Sequence, residues 1–273
     1  MSAASDVYTL RCGDGPLLIS APHVGLGVPD AIAATLTARG RELVDTDWDA
    51  DRLYPFAGAL GASVLRAQLS RYVVDLNRDP SGASLYPGAR TTGLCATETF
   101  DGDPLYEAGA EPDAAAIAAR RIRYFDPYHA ALRDELARIA GVHGYAVLLD
   151  AHSIRSPLPL LFEGELPDVN VGTNSGRSCR PESIDAVVSA VAPSPYSVVV
   201  DGRFKGGYIT RTYGDPDRGV QAIQLEINQT AYLASSAPPL WDDGKAARLS
   251  SVLARACESV LAAAARERYK SRA

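Results

Sequence analysis

No stretch of this chain reaches the roughly 20 consecutive apolar residues that a membrane-spanning helix requires. Its opening, MSAASDVYTL, has neither a basic start nor an apolar stretch, so no secretory signal is expected there. Cysteine is sparse: Cys12, Cys95, Cys179 and Cys257 lie far apart, and no C-x-x-C pair occurs. That excludes a zinc ribbon and a thioredoxin-type dithiol, and the expectation is free thiols in a reducing cytoplasm. Basic charge is not in excess. The 27 Lys and Arg against 33 Asp and Glu give a net charge of −6, without the positive surface that nucleic acid or an anionic membrane attracts. A G-x-S-x-G elbow, a Walker A loop, G-x-G-x-x-G and H-E-x-x-H are all missing. So are internal repeats and low-complexity tracts. The NQT at 228–230 matches a glycosylation acceptor only by chance if the chain is not secreted.

What is present is core material. Hydrophobic residues make up 47% of 273, enough for one large domain or two small ones. Apolar runs alternate with helical patterns. Strands are expected at 16–20, at ASVLRA (62–67), at RYVVDLN (71–77), at 145–153, at LPLLFEG (158–164), at YSVVVDGRF (196–204) and at 220–228. Helices are expected at 30–40, 48–61 and 112–141, with Pro127 kinking or dividing the last. A C-terminal helix is expected at about 243–268, its basic end suited to the helix dipole. Residues 80–111 show little periodicity, and a loop that long is often functional. This alternation indicates an α/β fold with a mixed, mostly parallel sheet covered by helices on both faces. Ligands then bind beyond the carboxyl ends of the strands.

Polar residues gather at those ends. His23 follows the first strand in SAPHVG. Asp45 and Asp47 sit in VDTDWDAD. His152 ends LLDAHS, with Asp150 two residues before it, and Glu226 sits in QLEIN. Two His, one Asp and one Glu match the inventory of a zinc hydrolase: His23, Asp47 and His152 as ligands and Glu226 as general base. Each residue also has a plainer reading. The aspartates 45–51 could open a helix, Glu226 could be a solvated strand residue, and either His could be structural. His129 reads as a packing or helix-surface residue and His143 as an exposed turn residue. Ser153, adjacent to His152 on a strand, points to the opposite face and makes a serine nucleophile a weaker choice. A second inventory is cationic. Arg71, Arg78, Arg203, Lys205 and Arg211 are suited to carboxylates, and Gly206 and Gly207 would let backbone approach a ligand in an expected loop or hairpin.

Taken together, SAPHVGLGVPD, DTDWDADRLY, SRYVVDLNRDPSG, LLDAHSI, DGRFKGGYITRTYG and QLEINQTAYL resemble the N-formylglutamate amidohydrolase (deformylase) family, from about residue 17 to about 233. The resemblance implies a single three-layer α/β/α domain over 1–273, phosphorylase/hydrolase-like and akin to zinc carboxypeptidases and aspartoacylases. It implies hydrolysis of N-formyl-L-glutamate to formate and L-glutamate in cytoplasmic histidine degradation. One Zn2+ or other divalent metal per chain would be held by His23, Asp47 (or Asp45) and His152, and Glu226 would activate water. The carboxypeptidase pattern sets a Glu three residues after its first His, where this chain has Leu26. Arg71 would polarise the scissile carbonyl. By likeness to a D-L-N-R motif, Asn77 and Arg78 would hold one substrate carboxylate, with Asp75 and Asp79 orienting them, and Arg203, Lys205 and Arg211 would hold the other. The partner implied is the small dicarboxylate alone, with no nucleic acid or membrane, on a monomer or small homo-oligomer. The rivals are a deacylase for another N-acyl or N-formimino amino acid, and a non-catalytic acid-binding protein on the same fold.

Overall fold

The computed structural model describes residues 2–84, 88 and 91–270. Eight strands form one mixed sheet: β1 Ser2–Ala4, β2 Tyr8–Arg11, β3 Leu17–Ala21, β4 Ser63–Ala67, β5 Ala146–Ile154, β6 Val169–Gly172, β7 Val198–Val200 and β8 Val220–Asn228. Their spatial order is β1-β2-β4-β3-β5-β8-β6-β7. The middle of the sheet, β4-β3-β5-β8, is parallel throughout. β2 against β4 and β6 against β8 are antiparallel.

Strand periodicity sorts the side chains into two cores. Leu17, Ile19, Val147, Leu149, Ile223 and Leu225 face α5 (Pro181–Val191) and α7 (Asp243–Lys270), against Val187, Leu249, Leu253 and Val260. Leu18, Ala146, Leu148 and Ala222 face α4 (Asp126–His143) and α6 (Tyr208–Tyr213), against Tyr128, Leu132, Leu136 and Ile209. Each fully buried Leu or Ile contributes about 2 kcal/mol. The expected helix–sheet–helix layering is therefore observed. All nine residues of β5 are buried, as a strand covered on both faces must be. No helix among the described residues is long and apolar enough to cross a membrane, and the four cysteines are unpaired.

Several local expectations are corrected. Residues 71–77 form turns and not a strand. Asp75 is the cause: its Oδ1 accepts the Asn77 N–H at 2.9 Å, an Asx turn that competes with a ladder. Val73, Val74 and Leu76 bury themselves in the core on the α4 side instead, and Tyr72 packs with Leu36, Leu105 and Tyr106. LPLLFEG is also a turn, since Pro157 and Pro159 each remove a ladder donor, and the strand in that region is the unforeseen β6. Of the loop or hairpin expected after β7, the structure has the loop, which leads into α6. The stretches 30–40 and 48–61 hold only short helical turns. The helix at 112–141 is not divided at Pro127. α3 (Ala114–Arg120) runs into α4 through a π-helical turn, Arg121–Phe125, and Pro127 sits in the first turn of α4, where its missing N–H costs little.

Candidate active site

The polar ends of β5 and β8 lie side by side. Their register pairs His152 with Glu226 and Asp150 with Gln224. Counting by twos from Leu148 and Ala222 puts all four on the α4–α6 face. Ser153 points the other way, to the Tyr232 hydroxyl at 2.8 Å, as strand alternation requires. His23 arrives from the turn after β3. Its carbonyl accepts the Asp47 N–H at 3.1 Å, which brings the 45–47 segment alongside.

The ligand atoms of His23, Asp47 and His152 all lie within 4.8 Å of one another, and all three residues are buried. Asp47 Oδ2 is 3.0 Å from His152 Nδ1 and 3.8 Å from His23 Nδ1. The far nitrogens meet other carboxylates: His23 Nε2 lies 2.8 Å from Asp75 Oδ1, and His152 Nε2 lies 3.1 Å from Asp150 Oδ1. Asn77 Nδ2 also faces His152 Nε2, at 2.8 Å. His23 Nδ1 and Asp47 Oδ1 are buried with no hydrogen-bond partner. Orphaned buried polar atoms are costly, and both of these belong to the trio.

The charge count points the same way. Asp45, Asp47, Asp75 and Asp150 are buried, yet among the described residues Arg71 is the one buried Arg or Lys. A cation at the trio would offset part of that imbalance. Two imidazole nitrogens and a carboxylate suit Zn2+ or a similar first-row divalent ion. The residues present thus fit the group.

Burial disfavours a charged His23, and nearby Arg71 adds to the effect, so its pKa falls. Burial acts the same way on His152, but the Asp150 and Asp47 carboxylates outweigh it and raise its pKa well above the usual value. Asp75 is held well below the usual carboxylate range by Arg78, Arg71 and His23, against its burial. Glu226 goes the other way. Burial pushes its carboxyl up to about 8, and Asp47 adds to the rise.

Asp45, the alternative ligand, is not in the trio. Its Oδ2 accepts from the Tyr72 hydroxyl and the Phe100 N–H, both at 2.8 Å, and its Oδ1 faces Arg155 at 3.4 Å. It anchors the 99–101 segment over the cleft.

The cleft above the trio is lined by Glu226, Arg71, Asn77, Arg78 and Arg203, as expected, and by Gln224, Thr92, Phe100, Ile154, Leu161 and Phe204, which were not foreseen. Arg71 donates to Asp75 Oδ2 at 2.7 Å, and its guanidinium lies 4.8 Å from the Phe100 ring centre. Arg78 donates to the Thr92 carbonyl at 3.1 Å. Arg203 donates to the Leu161 carbonyl at 2.7 Å. Lys205 and Arg211 are not brought to the cleft. Lys205 is exposed, and Arg211 Nε donates to the Gly206 carbonyl at 2.8 Å within its own segment. Asp79 is half-buried and its Oδ1 caps the Ser81 N–H at 2.8 Å, so it does not brace Arg78.

Asn77 is held at both ends of its amide. Oδ1 accepts the Ile209 N–H at 2.7 Å, and Nδ2 reaches Asp150 Oδ2 at 3.2 Å as well as His152. Gly207 packs flat on this amide: a Cβ there would meet it at 2.4–2.5 Å. Gly207 therefore admits the Asn77 amide and also lines the cleft, while a Cβ on Gly206 would meet Thr210. Gln224 joins the two halves, accepting the Gly207 N–H at 2.8 Å and donating to Glu226 Oε2 at 3.3 Å. Its one signal in the sequence was its place two residues before Glu226 on the same strand face. Ile154 ends β5, and the remaining unforeseen lining residues come from irregular segments and carried none.

A family model for N-formylglutamate amidohydrolase matches residues 15–233. The N-formylglutamate deformylase of Pseudomonas aeruginosa is 48% identical over 266 residues, covering 97% of this chain and 99% of that protein. That of Pseudomonas putida is 45% identical over 265 residues, covering 97% and 98%. Among solved structures, an N-formylglutamate amidohydrolase from Ralstonia eutropha superposes with a TM-score of 0.75 at 24% identity, covering 98% of this chain and 99% of that one. A protein of Agrobacterium tumefaciens does so with a TM-score of 0.68 at 16% identity, covering 93% and 96%. These two likenesses bear on the fold, while the family model and the curated relatives carry the family: the chain belongs to the N-formylglutamate amidohydrolases.

Proposed function

We propose that this chain hydrolyses N-formyl-L-glutamate to formate and L-glutamate, with His23, Asp47 and His152 holding a divalent metal and Glu226 carrying the proton. The observation that supports this most directly is the convergence of the buried trio, with unpartnered buried atoms on His23 and Asp47, beside Glu226 at the floor of an arginine-lined cleft. The activity named for the two Pseudomonas relatives supports the choice of substrate. When bound, the cation would supply Lewis acidity, lowering the pKa of water toward about 7 and polarising the formyl carbonyl.

The protein's own groups do the rest. Glu226 accepts the proton of the attacking water and delivers it to the leaving amine. Burial raises the proton affinity of this carboxyl in the metal-free protein, a bound cation would favour its charged form, and Gln224 limits its rotation. Arg71, fixed by Asp75, presents positive charge to the developing oxyanion. Arg78 and Arg203 take the two substrate carboxylates, since half-buried guanidinium groups at the cleft favour a charged partner over a neutral amide. Asp75 and Asp150 aim the two imidazoles. One Zn2+ per chain, a single domain over 1–273, and a place in cytoplasmic histidine degradation belong to the same reading.

The test is removal and return of the metal. Dialysis against a chelator is expected to abolish formate release from N-formylglutamate, and one equivalent of Zn2+ to restore it. N-acetyl- and N-formimino-glutamate and N-formyl-aspartate, assayed in parallel, are expected to be poorer substrates. Unchanged turnover after chelation would end the metal reading.

A further inference from the structure

His129 lies outside the cleft, yet it is buried in α4 at 7% exposure. Its Nε2 is 2.8 Å from the Leu76 carbonyl, and its Nδ1 is 3.0 Å from the Tyr213 hydroxyl. A carbonyl can only accept, so Nε2 carries the ring proton. Burial holds the ring's pKa down to about 4, so at neutral pH Nδ1 is an acceptor for the Tyr213 O–H. That hydroxyl also faces the His129 carbonyl at 3.1 Å. The ring is clasped between Phe125, with ring centres 4.0 Å apart, and Tyr213, nearly parallel at 5.8 Å. Orientation and tautomer are both fixed.

The carbonyl it grips is the middle of the site loop. Leu76 lies between Asp75, on His23, and Asn77, on His152. Tyr213 belongs to α6, whose first N–H groups bind Asn77: Tyr208 N–H to its carbonyl at 3.2 Å and Ile209 N–H to its amide oxygen. We propose that His129 is a positioning residue, whose Nε2–H on the Leu76 carbonyl sets the directions in which Asp75 and Asn77 leave the loop and so aims both imidazoles of the trio. Its consequence for metal rests on the reading above, but its consequence for the loop does not.

Two variants separate this from plain packing. His129→Phe keeps the ring in its stack and removes the donor, whereas His129→Gln returns an N–H at similar reach. Hydrogen–deuterium exchange of the metal-free protein reads the Asn77 and Arg78 amides, which bond to Asp75 Oδ1 and the Asp75 carbonyl. Zn2+ affinity is read by competition with a chelating dye. In His129→Phe those amides are expected to exchange at least about 10-fold faster while α7 exchanges as before, and Zn2+ to bind about 10–100-fold more weakly. His129→Gln is expected to recover most of both. Native exchange at 75–78 in His129→Phe would overturn the inference, and so would equal damage from the two variants. If His129→Phe does not fold, Tyr213→Phe decides: faster exchange confined to 75–78 supports it and native exchange overturns it. Should the wild type bind no Zn2+, the metal reading fails while the exchange result still judges His129.

Discussion

Asp47 meets the two imidazoles through one oxygen. Oδ2 also accepts the Ser153 N–H at 3.1 Å, while Oδ1 has no hydrogen-bond partner and lies 3.6 Å from Arg71. Oδ2, 3.0 Å from one Nδ1 and 3.8 Å from the other, is the oxygen that the trio offers a cation. Glu226 gives the clearest test at a single residue. Glu226→Gln is expected to retain metal and lose about 10²–10⁴ in kcat, read by formate release and metal analysis on one preparation. Its carboxyl also couples to folding. In the metal-free protein it holds its proton to about pH 8, while the unfolded chain releases it near 4.5. The folded state therefore binds the extra proton between those values. Its stabilising contribution is complete below 4.5 and fades as pH rises through about 8. Denaturation of metal-free wild type and Glu226→Gln at pH 5, 7 and 9 should show the wild type losing ground to the variant as pH rises. Arg78→Ala is expected to raise KM about 10–100-fold with a smaller change in kcat, because a charge-assisted carboxylate contact is removed. An unaltered KM would remove Arg78 from substrate binding.

At the scale of elements, Gly207 opens α6 against Asn77. Its φ of −86° suits any residue, so the constraint is space and not backbone strain. Gly207→Ala must displace the Asn77 amide, at a cost of about 1–3 kcal/mol. Thermal unfolding should register that cost, and activity should fall further than stability, since His152 loses its neighbour. The regular elements near the site were legible in the sequence. β5 and β8 announce themselves as apolar runs ending in polar groups, and their alternation correctly set His152, Asp150 and Glu226 apart from Ser153. The DLNR segment was misread because Tyr72, Val73 and Val74 have strand propensity, while the side chain of Asp75 decides the backbone. β6 was missed because VNVG is four residues long with a glycine at its end. Asp45 and Asp47 could not be separated by sequence, being two apart in one short segment. The fold turns Asp47 to the histidines and Asp45 to Tyr72 and Phe100.

For the molecule as a whole, the sheet gathers contributions from four distant parts of the chain, near residues 23, 47, 75–78 and 152, and adds Glu226 from β8. Parallel strands point their carboxyl ends one way, so the turns that follow β3 and β5 converge without long connections. The 99–101 segment closes over that end through Asp45, Arg155 and Asp101, with Arg155 Nη2 2.7 Å from Asp101 Oδ2. Lys205 and Arg211 carried the right charge in the right motif, but neither lines the cleft, which composition alone could not reveal. The most direct measurement of all this is a crystal structure of the Zn2+-loaded protein soaked with glutamate and formate, with data collected across the zinc absorption edge. The expected result is one anomalous peak per chain bounded by His23, Asp47 and His152, with Glu226 facing it and a carboxylate on Arg78. A peak bound to Asp45 in place of Asp47, or no peak at the trio, would contradict it.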